Sequence, residues 1–501
     1  MPHLRPIQYL RSLTLTAILF LGVHSAWAQE DEIPPLPMDP EAVTGTLDNG
    51  LSYIIRRNTT SPGRADLTFA VKVGSSVERA DEAGFSNLLS QMVLQGTKRH
   101  TATELAAFFS ARGLSLDQGV KAIVTYDETL YTIHDFPTGG QDDLSDLLGV
   151  IRGWSNELVL DSHSVEEVCQ KIIGEIEAGD SAESRIRSTI LERVLPIDHP
   201  YGLHTPVGNP KVLRSFSYQS LRDFYAKWYR PDLQGIIVVG DIDPRKVERR
   251  LKATFGNIPK PNTTIERTYP EVPEHHEPNA IVITDRGIQN TTLLISWAHT
   301  AAPAEIKASA AGLLMDYNTQ MISMMMEARL QKLIGSSNSP ILQANFRYTP
   351  FLDIAMTEDA YTLRVTAEGT RYQKALETTV RMIRQTLEKG FSETEYREAE
   401  SKLLERVKGF VADEHLANSA LAKRYTNYFT RGGYAPGVDL QSQLLSAIAE
   451  QVTLETVNKN FRLLVNDKQS LTIVVVLPQK RGMAIPSGNT VLRQFGRAFH
   501  R

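Results

Sequence analysis

Cysteine is almost missing from this chain: Cys169 is the one cysteine in 501 residues. That excludes an intramolecular disulfide framework and any zinc site built from several thiolates. Cys169 shares a helical apolar pattern with Val165, Val168, Ile172 and Ile173, so it reads as a buried structural thiol rather than a nucleophile. Strong charge of one sign is missing too, with a formal net charge of −4 and 22% charged residues. No basic run interleaved with aromatics offers a nucleic-acid surface. Beyond the first thirty or so positions, no stretch approaches the ~20 apolar residues that a membrane span needs.

What is present starts at the N-terminus. Arg5 and Arg11 precede an apolar core, Leu13 to Val23, and Ser25-Ala26-Trp27-Ala28 closes it with a small-x-small pattern. Residues 1–28 therefore read as a signal peptide cleaved after Ala28, which predicts a periplasmic or secreted protein. Residues 29–44, rich in proline and acidic groups, read as an extended lead-in.

The rest shows one order of elements twice. In the first half, strands are expected at 51–55 and 67–73, and a helix at about 83–96 with Phe85, Leu88, Leu89 and Met92 at helical spacing. A second helix follows Thr101, where Thr101 and Glu104 offer capping-box chemistry. Then come the strand 129–134, helices at about 141–156 and 164–178, a Pro-rich crossing at 196–210, the helix Tyr218–Trp228 and the strand 235–239. The second half repeats this with 292–297, 360–366, a helix opening at Ser392, another after Thr453 and the strand 471–476. The repeat is far longer than the roughly 20–50 residues of a solenoid unit, so it is a domain duplication.

The expected organisation is a first domain at 45–257, a Pro-rich linker at 258–278, a second domain at 279–480 and a tail at 481–501. The fold class is α+β: two homologous domains, each a mainly antiparallel sheet covered on one face by helices. Within the linker, His275-His276-Glu277 lacks a third pre-ordered ligand and reads as a solvated cluster.

The run from Gly74 to Thr97, with Glu78, Gly84 and Met92, resembles the catalytic segment of the pitrilysin/insulinase zinc metallopeptidases, the inverzincins with the hallmark H-x-x-E-H. Thr125-Tyr-Asp-Glu-Thr129, His199-Pro-Tyr-Gly202, Val207-Gly208, Trp228-Tyr-Arg-Pro231 and Val238-Val-Gly-Asp241 extend the likeness over nearly the whole chain. At its centre the sequence departs from the family. Asn87 stands for the first zinc histidine, Ser90 for the general-base glutamate and Gln91 for the second histidine. Glu175 aligns best with the third ligand, with Glu177 the competing choice.

Catalytic zinc takes three protein donors, usually imidazole or carboxylate, and leaves one position for water. Neutral amide oxygens suit hard cations and replace imidazole poorly. Ser90 lacks a base of its own. The residues therefore predict a catalytically degenerate homologue with no catalytic residues, no metal and no cofactor.

No other catalytic set emerges. His134, His163, His199 and His204 are scattered, and no G-x-S-x-G elbow is present. Asp127-Glu128 reads as a hydrogen-bonding pair, and Met321, Met324, Met325 and Met326 as core on a helix at 306–333.

Family members form a clamshell from four such domains in one chain or from two half-length chains. The resemblance thus implies a half-clamshell that binds extended peptides and forms a homo- or hetero-dimer with an insulinase-family subunit. It also implies peptide contacts from an arginine and a tyrosine in the second domain, matched here by Arg329 and Tyr348. The expected function is an exported, non-catalytic subunit supporting an active zinc peptidase. The alternatives are an active metal-dependent peptidase with an altered site, which would carry zinc, and a stand-alone peptide-binding protein.

Overall fold

The computed structural model describes residues 33–500 except 141, 180, 264, 266, 274, 276, 413–415 and 467–469. The signal-peptide reading and His276 lie outside the described residues.

The first half builds a sheet from β1 (Ala42–Thr46), β2 (Ser52–Arg57), β3 (Arg64–Val71), β4 (Val120–Val124), β5 (Thr129–Pro137) and β6 (Gln234–Gly240), in the order β1-β2-β6-β3-β5-β4. The second half builds one from β7 (Asn279–Asp285), β8 (Thr291–Thr300), β9 (Ile341–Pro350), β10 (Glu358–Ala367) and β11 (Ser470–Pro478), in the order β7-β11-β8-β10-β9. Each sheet has one parallel pair, β2 with β6 and β7 with β11, and is otherwise antiparallel. The second order reproduces β2-β6-β3-β5-β4, so the duplication is structural.

Helices of eight residues or more in the first half are α1 (Phe85–Met92), α2 (Ala102–Ser110), α3 (Asp143–Asn156), α4 (Ser162–Ala178), α5 (Ala182–Val194), α6 (Tyr218–Trp228) and α7 (Pro244–Phe255). Those of the second half are α8 (Ala310–Ile334), α9 (Tyr372–Lys389), α10 (Glu393–Ala412), α11 (Asn418–Arg431), α12 (Val438–Gln451), α13 (Leu454–Leu464) and α14 (Gly488–His500). The Thr101–Glu104 capping box forms at the start of α2. The helix expected at 306–333 is interrupted: Ser309 caps α8, and a separate turn, Ala304–Lys307, precedes it. Met321, Met325 and Met326 are buried in the second core.

Each half's own helices cover one face of its sheet, as expected. Every residue of β6 is buried, which requires cover on both faces of its sheet. The second cover comes from the other half. Helix α11 lies on β3 and β6, setting Leu421, Ala422 and Tyr425 against Ile54, Ala70, Ile237 and Val239. Reciprocally, α5 lies on β7 and β11, setting Ile186, Ile190 and Val194 against Ile281, Ile283, Val474 and Val476. A Cβ on Gly235 would stand 2.7 Å from the Phe429 ring, so glycine lets α11 approach this closely.

The lead-in joins the exchange. The Leu36 amide donates to the Ala308 carbonyl at 2.8 Å, and its side chain enters the second core. Asp39 accepts from Arg56 Nε at 3.2 Å and from the Tyr425 hydroxyl at 2.5 Å. Residues 481–501 are likewise more than a tail. Helix α14 buries Val491, Phe495 and Ala498 in the second core, against α9 and β7.

Candidate functional site

Helix α1 is held at its start by a carboxylate. Glu78 accepts from the Gly84 amide at 2.8 Å and the Ser86 amide at 2.7 Å, satisfying donors that a helix leaves unpaired at this end. Burial pushes its carboxyl up to about 7. Phe85, Leu88, Leu89 and Met92 are fully buried, and α1 packs on α4 and beside β4. The loop ending at Gly208 reaches the same spot: a Cβ on Gly208 would lie 2.6 Å from the Gly84 Cα.

The polar face bonds inward. Asn87 Nδ2 donates to the Val207 carbonyl at 3.1 Å. The Ser90 hydroxyl donates to the Asn87 carbonyl at 2.7 Å. Gln91 buries its Oε1 without a partner. Glu175 is exposed on α4 with Lys171 at 3.8 Å, and Glu177 pairs with Arg214. Among the described residues, no three His, Cys, Asp or Glu side chains gather as a metal would need. Two amides, a hydroxyl and one solvated carboxylate do not fit zinc, which wants imidazole, thiolate or several carboxylates.

The Asp127-Glu128 pair ties the halves together. Asp127 accepts from Ser76 at 2.7 Å, from Tyr201 at 2.9 Å and from Arg267 at 2.7 Å. Burial raises its carboxyl above the ordinary range, and these donors oppose that. Glu128, buried in the first half, takes Arg431 of α11 at 2.7 Å. Arg267 and Arg431 had no sequence signal of their own, because a lone arginine in a linker or on a helix has no motif.

Two recesses run from this seam. One of about 360 Å³ lies between Tyr126, Val207, Leu191 and the turn at Ile354. The other, about 710 Å³, lies in the second half and shares Pro350, Met356 and Arg431 with it. Tyr348 lines the larger one and shares a 2.9 Å hydrogen bond with His299 Nε2. Arg329 is not in either. Its guanidinium donates twice to Glu395 at 2.7 Å, to Thr386 at 2.7 Å and to the Gly390 carbonyl at 3.0 Å, and stacks over Phe391. Its planar fork is engaged by this structural pair.

The remaining candidates are structural. His199 caps a short turn and bonds the Glu271 carbonyl, His134 pairs with Asp66 and exposed His163 faces Glu167. Burial lowers the pKa of His204. Cys169 is buried, and burial pushes its thiol up to about 12.

Two family profiles match in succession: Insulinase (Peptidase family M16) over residues 53–205 and Peptidase M16 inactive domain over 215–403. The chain is similar to the probable zinc protease PqqL of Haemophilus influenzae, 26% identical over 76% of this chain and 41% of that protein. It is also similar to protein YhjJ of Escherichia coli, 25% identical over 66% of this chain and 63% of that protein. It thus spans less than two thirds of the length of these relatives. Among solved structures, the first half of the periplasmic protease PqqL from Escherichia coli superposes with a TM-score of 0.84 at 21% identity, covering 93% of this chain and 98% of that one. Pitrilysin superposes with a TM-score of 0.67 at 16% identity, covering 94% of this chain and 49% of that one. The chain belongs to the insulinase/pitrilysin (M16) family of zinc peptidases and their homologues.

Proposed function

We propose that this chain is an exported, non-catalytic member of the family that helps enclose extended peptides and supports an active zinc peptidase. The observation that carries this reading is the division of α1. Its apolar face and its packing on α4 are intact, while Asn87 and Ser90 turn their polar groups onto the protein itself. Ser90 donates its proton to a carbonyl, so it is not poised as a base.

Other features support the binding half of the reading. β4 is the outermost strand beside α1, and its Lys121, Ala122 and Ile123 are exposed. An unpaired edge accepts an extended peptide through backbone hydrogen bonds. The fold superposes on the first half of Escherichia coli PqqL, which supports reading these two domains as half of a clamshell. That protein's periplasmic location agrees with the leader expected at 1–28.

The test is reconstitution. Purified protein is added to a zinc-bearing family member of the same cell, and peptide turnover is measured. Turnover should rise with a saturable dependence on added protein. Unchanged turnover and no co-elution would contradict the proposal.

A further inference from the structure

We propose that the first half carries a docking face for an acidic phospholipid bilayer, formed by Arg57, Arg245, Lys246 and Arg249. The face lies away from α1 and the seam and does not rest on the proposed function.

Its position follows from the sheet. β5 leaves the seam at Thr129, next to Glu128, and its nine residues carry it to Pro137, about 26 Å away. There the ends of β2, β5 and β6 and the start of α7 surround a recess of about 520 Å³. Arg57, Thr138, Asp241, Lys246 and Arg250 are among its lining residues.

Helix α7 sorts its residues by side. Val247, Leu251 and Phe255 are buried in the first core, and Asp243 caps the helix by accepting from the Arg245 and Lys246 amides. Arg249 lies four residues from Arg245 and three from Lys246, so the three share the opposite, exposed face. Their side chains form no hydrogen bond or ion pair among the described residues, and neither does the exposed Arg57 guanidinium. Neighbouring charges are already engaged. Arg250 pairs with Asp142 at 3.0 Å, and Glu248 takes Lys252 at 2.8 Å and the Tyr53 hydroxyl at 2.7 Å. Of the recess carboxylates, Asp243 is held at the helix cap and Asp241 accepts from the Gly63 amide at 3.0 Å. This end therefore turns toward solvent cations that have no counter-charge of their own.

The chemistry of the face selects a plane of phosphodiesters. The whole chain has a formal net charge of −4, so an acidic surface attracts it only in the orientation that turns these cations forward. Neither α7 nor the recess offers an exposed aromatic or large apolar side chain. That removes the stacking platform a single-stranded nucleic acid uses and the apolar anchor of a protein interface. Lipid phosphates need neither, and each nearby cation strengthens adsorption on its own.

The test is co-sedimentation of the full chain with phosphatidylcholine vesicles, with and without about one third phosphatidylglycerol. At low salt the acidic vesicles should bind about tenfold more strongly, and salt above about 0.3 M should release the protein. Arg57→Ala, Arg245→Ala, Lys246→Ala and Arg249→Ala should each lower the partition coefficient about fivefold. Lys389→Ala, which removes an exposed lysine of α9, should leave it unchanged. Inorganic phosphate or a single-stranded oligonucleotide at matched ionic strength should not displace the vesicles. Equal binding to both vesicle types, an equal loss in Lys389→Ala, or displacement by phosphate or oligonucleotide would overturn the proposal. So would full binding in all four alanine variants. Binding that depends on these four residues, with the zinc-bearing partner's turnover unchanged, would leave the face standing and sink only the subunit reading.

Discussion

The side-chain amide of Asn87 donates to the Val207 carbonyl at 3.1 Å, joining helix α1 to the loop at the domain seam. The Asn87 side chain is thus a tether between the two segments. The consequences are structural before they are functional, and each can be measured.

Glu78 sets a pH dependence. Its folded pKa of about 7 exceeds the reference 4.5, so the folded state holds the proton more firmly. The associated stability is fully present below about pH 4.5 and is lost as pH rises through about 7. In urea unfolding, the wild type should lose about 2–3 kcal/mol relative to Glu78→Gln across that window. A difference that stays constant with pH would contradict this.

Arg329 and Glu395 behave in the opposite sense. Arg329 pulls the Glu395 carboxyl down to about 2, so its stabilisation is present above about 4.5 and fades as pH falls toward 2. Arg329→Met should cost about 1–3 kcal/mol at pH 7, the partial exposure of the pair keeping it below a fully buried one. Peptide affinity should not change. A loss of affinity at unchanged stability would show Arg329 to be a peptide contact instead.

The exchanged helices should hold the halves together without the linker. A protease site introduced between 259 and 273 should yield two fragments that elute as one species and part only in denaturant. Gly235→Val, which drives a side chain into the Phe429 ring, should cost about 1–3 kcal/mol and loosen that complex. Fragments that separate in native buffer would show that α5 and α11 do not bind the halves.

Much of this was legible because periodicity is local. The alternation at 67–73 and the spacing of Phe85, Leu88, Leu89 and Met92 gave β3 and α1, and Asn87, Ser90 and Gln91 could be read as poor zinc donors from chemistry alone. The exchange was not legible. An apolar stripe on α5 or α11 says that a face is buried, not which sheet buries it. Helix α14 was missed although Val491, Phe495 and Ala498 follow helical spacing, because the Pro486-Ser487-Gly488 break before it resembles the end of a domain. The Arg329 pair was open to either reading, since only the fold brings Glu395 and Gly390 to it.

Helix α1 is expected to hold no metal. Zinc content after purification, measured by plasma mass spectrometry with calorimetric zinc titration, addresses it directly. The expected result is substoichiometric zinc and a melting temperature unmoved by chelator. One equivalent of tightly bound zinc, lost in Glu175→Gln, would contradict it.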